Sequence, residues 1–284
     1  MMYKKISTYL FLALLLSSCS ELKKITDVKK PTISVDDFRI TEISLRDIEL
    51  TFDLELINPN PIALSLASYD YDLQIEQNSF VKGNQSLTTK IEANGSIIIS
   101  IPVKFTFDEL YNTISNISSK KEGGYAFVGN IGVNVPVLGL VEVPIEKEGV
   151  FPIVKAPSFS LSSFSVKNLS FTKADVELEI NIGNPNTFAL ILDKLDYNIQ
   201  LNGFDTINGG TTSSLSIAEN EIRSLKIPAS FNFLELGSAA YSTIVGGEPF
   251  QYSLTGSADV GASLPNFDLS SFNFDRSGVV DILK

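Results

Sequence analysis

Asp47-Ile48-Glu49-Leu50-Thr51-Phe52-Asp53-Leu54-Glu55-Leu56-Ile57-Asn58-Pro59-Asn60 decides the fold, because a strand and its terminator stand in it side by side. Ile48, Leu50, Phe52, Leu54 and Leu56 alternate with acids and Thr51. That period of two describes an antiparallel strand with one apolar face and one acidic, solvent-facing face. Pro59 cannot donate to a ladder and pushes Asn58 toward extended geometry, while Asn side chains bond nearby backbone and tolerate left-handed turns. Asn58, Pro59 and Asn60 are therefore read as a structural corner in preference to a binding site. The pattern then returns: Val176, Leu178, Ile180 and Ile182 alternate with polar residues ahead of Asn184-Pro185-Asn186. The two stretches lie 126 positions apart, and between Asn58 and Leu110 the shift gives 18 identities in 53 positions. A duplicated domain is the consequence.

Working outward, Tyr71–Ile75 and Tyr197–Leu201 alternate again, Gly83 and Gly209 are expected to mark turns, and further strands are expected to close on Ile101-Pro102 and Ile227-Pro228. One segment breaks the β pattern. Thr106 with Glu109, and Asn232 with Glu235, have the spacing of a helix N-cap and its reciprocal partner. Apolar residues follow at helical spacing, and Gly123-Gly124 and Gly246-Gly247 are expected to stop the helices. Strands resume over 125–137 and 250–264. The expected fold is mainly β: two tandem antiparallel β-sandwiches, each with one short helix. The expected boundaries are 1–18 for a leader, 19–30 for a polar tether, 31–153 for the first sandwich and 154–284 for the second.

Composition narrows the chemistry. The net charge is −11, which disfavours a phosphate backbone, so nucleic acid is not an expected partner. Histidine is absent, which removes the commonest general base and transition-metal ligand. Asp36-Asp37, Asp70 with Asp72, and Asp193 with Asp196 are the nearest candidates for a calcium or two-carboxylate site. Without loop spacing of the calcium-binding kind, they are read as exposed acids on outer faces. No phosphate-cradling glycine loop and no nucleophile elbow occurs in the sequence. Neither catalytic residues, nor a cofactor, nor a metal site is expected.

The single cysteine, Cys19, follows a basic start, an apolar run from Ile6 to Leu16, and Leu16-Ser17-Ser18. The run is too short to span a bilayer and has the proportions of a secretory signal. Its ending resembles the bacterial lipobox. That resemblance implies cleavage before Cys19 and acylation of it, hence a membrane partner through lipid chains and a place in the cell envelope. Ser20, by resemblance to enterobacterial lipoproteins, implies the outer membrane.

Taken together, the alternating strand, the Asn-Pro-Asn motif, Ile101-Pro102-Val103-Lys104-Phe105-Thr106-Phe107 and the short helix resemble the type 2 late-embryogenesis-abundant proteins, whose domain is also called WHy. The resemblance covers both copies. It implies immunoglobulin- or fibronectin-III-like sandwiches, a link to stress tolerance and protection of other proteins, and no catalysis. The expected function is contact with, or shielding of, envelope proteins under water loss. The rival expectation is an envelope binding module, an adhesin or assembly subunit that takes up a peptide by strand addition or a ligand in a groove. Carriage of an apolar ligand between the sheets would need a cavity that the large alternating residues leave little room for.

Overall fold

The computed structural model describes residues 28–202, 207–236 and 238–283. In the first module the strands run β1 (Thr32–Ile43), β2 (Asp47–Ile57), β3 (Leu64–Ile75), β4 (Asn78–Ile91), β5 (Ser96–Thr106), β6 (Glu122–Val135) and β7 (Gly139–Pro152). Helix α1 (Phe107–Thr113) and a 3-10 turn at Ile117–Ser119 lie between β5 and β6. Two antiparallel sheets result, in the orders β1-β2-β5 and β4-β3-β6-β7. The second module repeats the plan with β8 (Ser158–Leu169), β9 (Lys173–Gly183), β10 (Leu190–Leu201), β11 (Ile207–Thr211), β12 (Leu215–Ile217), β13 (Ile222–Asn232), β14 (Phe250–Ala262), β15 (Ser270–Val280) and β16 (Ile282–Leu283). Its sheets are ordered β13-β9-β8-β16 and β11-β10-β14-β15, with β12 also against β10. Two helical pieces, α2 (Phe233–Leu236) and α3 (Ser238–Gly246), precede β14. The chain is mainly β, in sandwiches with few short helices.

The period-two face of β2 builds the first core. Ile48, Leu50, Phe52, Leu54 and Leu56 are fully buried, and the Phe52 ring stacks on Phe127 of the opposite sheet at 4.0 Å. Val176, Leu178, Ile180 and Ile182 of β9 are buried in the same way. Large side chains of this kind contribute roughly 1.5–3 kcal/mol each on burial. The opposite face of β2 departs from the expectation of a solvated surface, since Thr51 is 5% and Asp53 9% exposed. β2 is the central strand of its sheet, so side chains from both neighbours close over it. Arg39 reaches across from β1 and Ser100 from β5.

The capping box is present. Glu109 N–H donates to Thr106 Oγ1 at 3.0 Å and Thr106 N–H donates to Glu109 Oε2 at 2.8 Å. Other local expectations are corrected. Gly83 and Gly209 are strand residues, opposite Tyr71 and Tyr197. The tyrosine ring lies over each glycine, where an added Cβ would sit 2.4 Å from Tyr71 or 2.2 Å from Tyr197. The first module's reversal is instead Glu76-Gln77, with φ of 50° and 66°, a two-residue hairpin turn of the kind that matches strand twist. Gly123 and Gly124 belong to β6, and a Cβ on Gly123 would lie 2.9 Å from the Phe151 ring. Gly247, at φ 75°, does follow the second helix. Finally, β5 runs through Pro102 to Thr106 and β13 through Pro228 to Asn232. Both are edge strands, where a missing N–H costs no ladder bond.

The modules meet end to end. The β1–β2 turn of the first receives the β14–β15 loop of the second. Ile43 N–H donates to Asn266 O at 3.1 Å, Asp268 N–H to Ile43 O at 2.7 Å, and Asn266 Nδ2 to Ile40 O at 2.8 Å. Ile43 is 1% exposed beneath this loop. Tyr111 Oη donates to Val154 O at 2.5 Å and fixes the chain as it passes between modules. Burial of that phenol pushes its pKa up to about 12.

Candidate functional site

Each Asn-Pro-Asn motif forms a clamp built from side-chain amides. Asn58 is fully buried. Its Nδ2 donates to Ile62 O at 2.8 Å and Glu92 O at 2.9 Å, and its Oδ1 accepts from Asn60 N–H at 2.9 Å and Asn60 Nδ2 at 3.1 Å. Asn60 in turn holds the incoming chain: its Oδ1 accepts from Lys29 N–H at 2.7 Å, and its Nδ2 donates to Lys29 O at 2.8 Å. The expected polar tether is therefore docked at its last residues, and Cys19 lies outside the described residues.

The second clamp repeats the first atom for atom. Asn184 Nδ2 donates to Phe188 O at 2.7 Å and Ala218 O at 3.0 Å, and its Oδ1 accepts from Asn186 N–H at 3.0 Å. Asn186 grips Lys155 through the same two bonds, both 2.8 Å. Pro59 and Pro185 sit between the paired asparagines and hold the bend that lets one amide reach its neighbour. An amide offers two donors and two acceptor sites, and Asn58 spends all four on the fold. The motif thus joins a strand end, a loop and the module's entry segment.

Acidic candidates are spread across the surface rather than brought together. Asp37 stands 3.5 Å from Arg39, Asp72 is 3.8 Å from Lys82, and Asp196 is 2.7 Å from Lys194. Asp70 accepts from Asn130 at 3.3 Å and Asp193 from Ser214 at 2.7 Å, while Asp36 is exposed on β1. Asp70 and Asp72 do share a face with Lys82, Asn84, Asn130 and Glu146. They line a shallow, open groove of about 750 Å³ on the sheet β4-β3-β6-β7. Among the described residues, no three acids stand close enough to hold a metal ion together.

The buried acid is one that sequence reasoning placed in solvent. Asp53 Oδ1 accepts from Ser100 Oγ at 2.6 Å, and Oδ2 accepts from Arg39 Nη2 at 2.6 Å and Nε at 3.0 Å. The Ser100 bond first, and the Arg39 guanidinium with it, hold its carboxyl below the usual carboxylate range. This stabilises the charged form and cross-links β1, β2 and β5. It is a structural pairing on a sheet face.

A family model described as late embryogenesis abundant protein matches residues 53–149 and 179–272, about two thirds of the chain. Late embryogenesis abundant protein Lea14-A of Gossypium hirsutum is 20% identical over 137 residues, covering 48% of this chain and 89% of that protein. Desiccation protectant protein Lea14 homolog of Glycine max is 21% identical over 138 residues, covering 49% and 89%. A solution structure from Arabidopsis thaliana is 18% identical, covers 44% of this chain and 83% of its own, and has a TM-score of 0.38. A solution structure of a putative late embryogenesis abundant protein is 14% identical, covers 52% and 87%, and has a TM-score of 0.37.

Proposed function

The chain belongs to the late embryogenesis abundant protein family, and from that membership we propose that it is a non-enzymatic, lipid-anchored protein of the cell envelope that protects neighbouring proteins by contact when water is lost. The observation that carries this reading is the double family match, joined to relatives of desiccation-related name that are matched over most of their own length. The buried polar groups of both modules support it, because their hydrogen-bonding capacity goes into holding sheets and segment ends together. These amide bonds run directly between protein groups, so withdrawing solvent does not remove their partners. The acidic outer faces then supply hydrated, repulsive surface between the proteins they separate.

Drying a desiccation-labile enzyme with the purified protein tests the protective role. Recovered activity severalfold above that given by an equal mass of albumin is expected, and equal recovery would remove the proposal. The anchor is supported by Leu16-Ser17-Ser18-Cys19. Attachment through two or three acyl chains is firm, since each buried methylene contributes about 0.8 kcal/mol. Cys19→Ala is expected to abolish incorporation of labelled palmitate and to shift the protein out of the membrane fraction. Undiminished labelling would overturn the anchor and leave the protective role standing.

Peptide uptake by strand addition is the competing reading. Among the described edge strands, β5, β7 and β13 carry Pro102, Pro144 and Pro228, each of which removes a donor that an added strand would use, while β1, β4, β11 and β15 carry no proline.

A further inference from the structure

Joining two copies of one module end to end uses one pair of ends and leaves another pair free. The used pair is the β14–β15 loop of the second module, seated on the β1–β2 turn of the first. Its seat is apolar: Ile43 is 1% exposed and Leu45 is half-buried. The 126-residue shift makes Leu169 and Phe171 the counterparts of Ile43 and Leu45. These are 46% and 88% exposed at the far end of the second module. Phe171 rests only loosely on Tyr241, with ring centroids 6.3 Å apart. The short strand β16 covers the outer edge of β8 at Phe164 and Ser165. Among the described residues, no strand pairs with that edge beyond Ser165.

The free loop at the other extremity holds the same place in its module as the seated one. Leu264-Pro265-Asn266-Phe267 stands at the β14–β15 connection, and Val135-Pro136-Val137-Leu138, 129 positions earlier, at the equivalent β6–β7 turn; the seated loop is the longer, since β14 and β15 last pair at Val260 and Ser270, and β6 and β7 at Val135 and Gly139. Asn266 has φ 60° and Val137 has φ 72°, so both loops place a left-handed residue after a proline, the arrangement of a type II turn. A β-branched residue rarely adopts that conformation, and here it carries Val137 outward at 75% exposure. Leu138 and Leu140 are 48% and 57% exposed beside it. This loop lies at the end where Asn60 grips Lys29, and the exposed seat lies at the opposite extremity of the chain.

We propose that copies of this chain associate end to end, the 136–140 loop of one copy seating on Leu169 and Phe171 of the next. The contact repeats between chains what joins the modules within one. It is heterologous, so it extends as a row rather than stopping at a pair. Anchoring does not oppose it: nine chain steps separate Cys19 from Val28, a reach of up to ~30 Å, enough for tethered copies to lie along a bilayer. Confinement to one membrane also raises the effective concentration of the two ends.

The test is oxidative cross-linking in intact cells of the full chain carrying Leu138→Cys and Phe171→Cys, with the parent chain and its Cys19 as the blank. A ladder of dimers, trimers and longer species is expected. Cells holding the two singly substituted chains together are expected to yield only the mixed dimer. Adding Leu140→Asp to the double variant should lower the cross-linked fraction about tenfold, the effect of a 1.4 kcal/mol loss of affinity. All three positions are exposed, so an unchanged unfolding midpoint separates lost contact from lost fold. Cross-linking no greater than the blank overturns the proposal. So does dimerisation of Leu138→Cys chains alone, or a loop that enters phosphatidylcholine vesicles while no mixed dimer forms.

Discussion

Asn58→Ala is expected to destabilise the first module by about 3 kcal/mol, far more than a single hydrogen bond. The substitution strands Ile62 O, Glu92 O and Asn60 N–H, which the Asn58 amide satisfies in a buried setting. A buried group left unpaired costs about 1–3 kcal/mol, whereas an ordinary intact bond contributes only about 1 kcal/mol net. Asn184→Ala should do the same to the second module through Phe188 O and Ala218 O. Asn58→Asp sharpens the argument, since a carboxylate can accept from Asn60 but cannot donate to two carbonyl oxygens. Burial beside those oxygens disfavours the charged form and raises the folded pKa of the new carboxyl above its ordinary ~3.9. The variant should therefore be least stable at neutral pH and recover as pH falls through that raised value. Urea unfolding of the three variants at pH 7 and pH 4 reads all of this. A loss under 0.5 kcal/mol in Asn58→Ala, or no pH response in Asn58→Asp, would show that the clamp does not bear on stability.

The clamps mark how far the sequence could be followed. That Asn58 and Asn60 end a strand is legible locally, from a proline and the residue types around it. That Asn60 holds Lys29, 31 positions earlier, is a long-range contact and leaves no local pattern. The duplication carried a usable signal, because the positions that the two clamps need are among the identities. The same holds for Tyr71 with Gly83 and Tyr197 with Gly209, which recur as pairs. Read alone, a glycine suggests a turn; read as half of a repeated pair, it is the floor beneath an aromatic ring. The helix start was legible because a capping box is a local, reciprocal arrangement. The buried Asp53 was hidden for a different reason: alternation says which face a residue occupies, and only sheet order says whether neighbours cover that face.

Exposed apolar residues follow the same logic at the level of whole modules. Ile43 and Leu169 are equivalent by repeat, and a sequence reading treats them alike. Position in the tandem makes one buried and the other exposed. The difference belongs to the assembly of modules rather than to either strand.

Phe52→Ala is expected to cost about 3–5 kcal/mol, the range for a large aromatic removed from a packed core. Phe52 is fully buried and joins the two sheets of the first module. Its ring stacks on Phe127 at 4.0 Å, meets Tyr125 edge-on at 5.6 Å and touches Phe38 at 5.4 Å. The repeat places Leu178 where Phe52 stands, and in the second module the close stack is Phe159 on Phe274 at 4.1 Å. The two modules thus use different aromatic stacks on one plan. A domain of this size is typically stable by about 5–15 kcal/mol, so the loss takes a large share of one module and none of the other directly. Denaturant unfolding should then split into two transitions, with the first moved to lower urea. Residues 31–153 should exchange their amide hydrogens faster, while β9, β10 and β14 keep their protection. Phe171→Ala, at an 88% exposed site, should leave both transitions in place. If Phe52→Ala shifts one undivided transition across the whole chain, the end-to-end contact couples the modules into a single folding unit, and their independence is refuted.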